Sequence, residues 1–107
     1  MPRWLPRVLA RIHRLAAHGK VRFTDKAYDE LRALPLALDV QDAHTILASL
    51  GLNECAGRVV SGAAAEWLYV FKPQIAGIAL YVKIALRQTC VVVSFHEEGG
   101  DEHPDRD

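Results

Sequence analysis

Two apolar runs near the end of the chain, Leu80-Tyr81-Val82-Lys83-Ile84 and Val91-Val92-Val93-Ser94-Phe95-His96, carry a phenol, an ammonium and an imidazole at alternating positions. Alternation is the period of a β-strand, whose side chains point in turn to opposite faces. Both runs are rich in β-branched and aromatic residues, and Leu86-Arg87-Gln88-Thr89 between them is polar enough to turn the chain back, so the pair reads as a hairpin. A connecting loop of even length puts Tyr81 opposite Ser94 and gathers Tyr81, Lys83, Ser94 and His96 on one face. An odd loop sends His96 to the other face.

With Arg58 and Lys72, these residues form a set of neutral or cationic groups: Arg58, Lys72, Tyr81, Lys83 and His96. Such a set suits transesterification of RNA, in which the 2′-hydroxyl of the substrate attacks its own phosphate. That reaction needs proton transfer and charge neutralisation but no protein nucleophile. Imidazole titrates near neutrality, so His96 is the natural general acid or base. Arg58, Lys72 or Lys83 would neutralise the charge that builds on the phosphate, and Tyr81 would stack on a base or hydrogen-bond to phosphate. The familiar alternatives are missing from the sequence. It has no Gly-rich phosphate loop, no H-E-x-x-H, no G-x-S-x-G and no paired carboxylates. The five histidines lack metal-ligand spacing, so neither metal nor cofactor is expected. Cys55 and Cys90 stand in unrelated contexts and read as reduced, packed thiols. Trp4, Trp67, Tyr69 and Phe71 are expected to pack rather than to bind.

The elements that must hold this set divide into a helical half and a stranded half. Leu5, Val8, Leu9, Ile12, Leu15 and Ala16 mark an amphipathic helix ending near His18, with Gly19 as its stop. Thr24 caps a second helix over 25–33 that buries Ala27, Tyr28 and Leu31 and ends before Pro35. Asp39 caps a third, from about Val40 to Leu50, with Gly51 as its stop. Strands are expected over 58–61, 66–72, about 78–86 and about 90–97, with a turn at 74–77. The expected fold is α+β, with N-terminal helices packed on one face of a C-terminal antiparallel sheet.

The 107 residues suffice for one domain, placed at 1–97, and half of them are hydrophobic. No apolar run is long enough to span a bilayer and no signal-peptide pattern is present, so a cytoplasmic protein without membrane contact is expected. The net charge of zero conceals an asymmetry. Residues 98–107 hold five acids against Arg106 alone, and should form a disordered acidic tail. The remainder has twelve Lys/Arg against eight Asp/Glu, a net of +4. Arg3, Arg7, Arg11 and Arg14 recur along one side of the first helix, which reads equally as a solvated face or as a surface for a polyanion such as RNA.

Trp67 with Phe71-Lys72-Pro73, then the two hairpin motifs, together with the early helices and Gly19-Lys20-Val21-Arg22-Phe23-Thr24, resemble the MqsR-type toxins of bacterial type II toxin–antitoxin systems. The likeness covers roughly residues 8–98. It implies a RelE-like ribonuclease fold and an mRNA endoribonuclease (mRNA interferase) that inhibits translation without a metal. It further implies single-stranded mRNA as substrate and a cognate antitoxin as partner. Tyr81 falls on the family's catalytic tyrosine, His96 falls where the family has a lysine, and Leu68 where it has a glutamine. Arg58 is the nearest counterpart of a further lysine once a one-residue gap is allowed. These substitutions keep a rival in view: a non-catalytic RNA- or protein-binding member of the same fold, in which Tyr81 and His96 point apart.

Overall fold

Thirteen residues of well-spaced apolar side chains give α1 (Leu5–Ala17), and its end is set by Gly19 in the left-handed region, φ 71°. There the Gly19 and Lys20 amides donate back to the Ala16 and Leu15 carbonyls, the paired bonds that close a helix on a left-handed glycine. The chain then forms a short strand, β1 (Val21–Phe23). Helix α2 (Asp25–Ala33) follows, with the Thr24 hydroxyl accepting from the Ala27 amide at 3.1 Å. Helix α3 (Val40–Ala48) opens with a reciprocal cap, Asp39 accepting from the Asp42 amide and Asp42 from that of Asp39. It stops two residues short of the expected end. Gly51 instead leads into a 3-10 turn over Leu52–Glu54.

Five strands complete the fold: β2 (Cys55–Val60), β3 (Trp67–Phe71), β4 (Gln74–Ile75), β5 (Ile78–Leu86) and β6 (Cys90–Glu97). The computed structural model describes residues 1–63 and 65–99. The strands lie in the order β1-β6-β5-β3-β2, with β4 folded back on β5 through Ala76 and Gly77, both at positive φ as a tight hairpin turn requires. The fold is thus the expected α+β layout, with one refinement. The sheet is mixed, because β1 pairs with β6 in parallel, Val21 facing Cys90.

All three helices lie on one side of the sheet. Leu5, Leu9, Ile12 and Leu15 of α1, Ala27 and Leu31 of α2, and Ala43 and Leu47 of α3 pack against Phe71, Leu80, Val82, Ile84, Val92 and Phe95. Cys90 is also in this layer, and burial pushes its thiol up to about 12. Tyr28, expected in the core, is exposed and lies under the Arg32 guanidinium. On the other side of the sheet a small second cluster forms from Leu68, Ala85, Val91 and Val93. Among the described residues, no helix covers that side.

Glu98, assigned from sequence to the acidic tail, pairs with Lys72 at 2.8 Å and donates its amide to the Ala79 carbonyl. The rest of that tail, from residue 100 on, lies outside the described residues. No described helix is long and apolar enough to cross a membrane.

Candidate active site

The hairpin β5–β6 turns through three residues, Arg87-Gln88-Thr89, so Leu86 pairs with Cys90. Three is odd, and a regular ladder from that turn would set Phe95 opposite Tyr81 and rotate His96 into the core. A β-bulge prevents this. Ile84 pairs with Val92 but its neighbour Lys83 pairs with Ser94, so Val93 is an extra residue on β6. The odd loop and the odd bulge cancel. Beyond the bulge Phe95 returns to the helical core, while Ser94 and His96 share the open face with Lys83 and Tyr81. The expected partner of Tyr81 was Ser94; the actual one is His96, two residues along on the same face.

The two rings stack, with centroids 5.0 Å apart and planes at 13°. The His96 Nδ1 lies 2.9 Å from the Glu97 carbonyl oxygen, which can only accept, so Nδ1 carries the proton. In the neutral ring the lone pair therefore sits on Nε2, the nitrogen that a general base must present. Lys83 is 3 % exposed and its ammonium stands 6.0 Å from the centre of the Tyr81 ring. Lys72 follows β3 directly. Extending the β3–β5 register by one step sets it opposite Tyr81, and Glu98 holds its ammonium.

One cation escaped the sequence reading. Lys26, on the first turn of α2, donates to the Ser94 hydroxyl at 3.0 Å and pairs with Glu30 at 3.3 Å. Glu30 in turn accepts the Phe95 amide at 2.9 Å. Strand β1 pairs with β6 only as far as Val92, so past that point the border of β6 is open, and α2 supplies the missing acceptor. No local signal could have revealed this, since Lys26 and Ser94 are 68 residues apart.

Arg58 is not part of the group. It pairs with Tyr69, whose ring faces the helices, so it stands on the covered side of the sheet. Leu68, where the resemblance implies a glutamine, does lie on the open face, but 4 % exposed and within the apolar cluster. The structure thus brings together Tyr81, His96, Lys83 and Lys72, adds Lys26, and leaves Arg58 elsewhere. Among the described residues, no three His, Cys, Asp or Glu side chains converge as metal ligands would.

Residues 7–97 match the family model MqsR_toxin, described as motility quorum-sensing regulator, toxin of MqsA. No curated protein matches the chain.

Proposed function

Because the chain belongs to the MqsR toxin family, and so is the toxin of a toxin–antitoxin system with an antitoxin for partner, we propose that it inhibits translation as a metal-independent endoribonuclease acting on single-stranded mRNA in the cytoplasm. The observation that carries this reading is the stacked Tyr81–His96 pair, with the imidazole tautomer set by the Glu97 carbonyl. Residues 1–97 act as one ribonuclease domain.

In the reaction the 2′-oxygen of a ribose bonds to the adjacent phosphorus as the P–O5′ bond breaks, leaving a 2′,3′-cyclic phosphate and a 5′-hydroxyl. One proton leaves the attacking hydroxyl and one joins the departing oxygen. His96 is the group to move one of them through Nε2, and Tyr81 fixes its ring by stacking and flanks the substrate. Lys83, almost wholly buried beside Tyr81, and Lys72 at the end of β3 place positive charge where the phosphate gains negative charge. Histidine at this position offers a ring nitrogen able to accept a proton, where a lysine would be mainly a fixed charge.

Incubation with single-stranded RNA in EDTA tests the proposal. The wild type should generate fragments ending in cyclic phosphate, and His96→Ala should be slower by about 10²- to 10⁴-fold, the usual contribution of a general acid or base. Equal cleavage by the two proteins, or none by either, would remove His96 from this role.

A further inference from the structure

On the helix side of the sheet, Arg58 lies between two indoles. Its guanidinium carbon is 3.7 Å from the centre of the Trp67 ring and 4.8 Å from that of Trp4. Trp4 is itself braced by Tyr69, ring centres 5.4 Å apart. Stacking holds a guanidinium through its faces and leaves the N–H donors around its edge available. Among the described residues Arg58 has no hydrogen-bond or ion-pair partner, so this half-buried cation is fixed in place with its donors unspent. Trp67 is 42 % exposed.

The surroundings are basic. Trp4 at the N-cap and Arg7, Val8 and Arg11 of α1 form one stripe, and Arg11 hydrogen-bonds to the Arg87 carbonyl, which anchors that stripe at the turn between β5 and β6. Arg3, just before the helix, and Arg7 are exposed, and Arg11 lies about 6 Å beyond Arg7 along the helix axis. The Glu66 carboxylate, next to Trp67, is occupied by Arg87 at 2.7 Å.

A flat exposed indole beside a planar cation, continued by a row of arginines, is the combination by which proteins hold single-stranded nucleic acid: bases stack, phosphates pair, and sequence matters little. An acidic peptide would engage the arginines but would have no use for the face of Trp67. The geometry points to a second RNA-binding surface, formed by Arg58, Trp67 and the arginines of α1, that holds the substrate strand away from the point of cleavage. This rests on the ribonuclease reading for the identity of the strand. Strand β2 is a border of the sheet, three strand spacings or about 14 Å from β6, so an RNA chain can pass round it from the Tyr81–His96 face to Arg58.

The test uses a twenty-nucleotide 2′-O-methyl oligouridylate, which cannot be cleaved by transesterification, with tryptophan emission as the readout over a series of salt concentrations. Wild-type emission should be quenched on binding. Trp67→Ala should weaken binding about 5- to 100-fold, the range for loss of one stacked base. Arg58→Ala should lower the slope of log K against log salt by about 0.7, one phosphate contact on a single strand, and Arg58→Lys should restore that slope. The slope does not depend on the fraction of protein folded, so a destabilised variant still reports. Wild-type slope and affinity in Arg58→Ala, in a protein whose parent cleaves RNA, would overturn the second surface and leave the nuclease reading standing. A parent that neither binds nor cleaves RNA would overturn both. Displacement of the oligonucleotide by polyglutamate with Trp67 emission unaffected would assign the surface to an acidic protein and likewise overturn it.

Discussion

The open face of the β5–β6 hairpin has two ends of opposite character, divided by the bulge at Val93. Toward the turn, Ala85, Val91 and Val93 close over Leu68 in a small apolar cluster. Away from it stand Tyr81, Lys83, Ser94 and His96. The same two strands thus carry packed apolar side chains at one end and polar or aromatic ones at the other. The contrast between faces is sharper still: Phe95 and His96 are neighbours in sequence, yet one is wholly buried under the helices and the other is half-exposed and stacked on Tyr81. What divides them is a single extra residue in the ladder.

The largest effect on stability should come from confusing the two faces. Phe95→Ala opens a cavity in the main core and is expected to cost about 3–5 kcal/mol in urea unfolding. His96→Ala, one residue on, should cost only the aromatic pair, about 0.5–1.5 kcal/mol; a similar loss for both would contradict the division. The apolar end can be challenged next. Leu68→Gln places a polar amide in a buried apolar cluster and should destabilise by about 1–3 kcal/mol. A variant that is no less stable and cleaves RNA faster would extend the proposed site to the apolar end.

Deleting Val93 sharpens the comparison from the other direction. The ladder then runs without a bulge, Val92 still facing Ile84 and Ser94 still facing Lys83. Tyr81 should remain on His96, visible as an unchanged ring-current shift of the imidazole protons by NMR, with stability altered by about 1 kcal/mol or less. The smallest effect is expected at the turn, where the Arg87 guanidinium, mainly by hydrogen bonding, holds the Glu66 carboxyl below its ordinary value. A carboxyl lowered on folding adds stability above its unfolded titration near about 4.3, and that stability is lost as pH falls through the folded value. Glu66→Gln should remove this acid-side slope, a change of roughly 0.2–1 kcal/mol for so exposed a pair.

How far the sequence could be read follows the range of the interactions. Helix α2 matched its expected bounds because its signals are local: the Thr24 hydroxyl, the apolar spacing, Pro35 beyond. Strand β1 was missed because three residues, Val21-Arg22-Phe23, carry too little pattern, and their partner lies 69 residues ahead. Tyr28 was misplaced since periodicity gives a helix face but not where that face meets the edge of the core. The clustering on the hairpin was legible and its register was not. Turn length and bulge are both decided by packing, above all by the need to bury Phe95, and only their sum fixes the side on which His96 emerges. Arg58 shows the same limit, for chain alternation could not say which face of β2 the helices would cover.

The order of strands in the sheet also has a consequence in time. Strand β6 lies between β1 and β5, inside the sheet, yet it is the last of the described strands to be synthesised. Helix α2 and strand β1 therefore meet their main partner only when almost all the remaining chain has been made, whereas α1 can already pack on α3. The residue assigned the proton transfer sits on that same late strand. The open face of the hairpin and the core beneath α2 thus come into being in one step, when β6 closes.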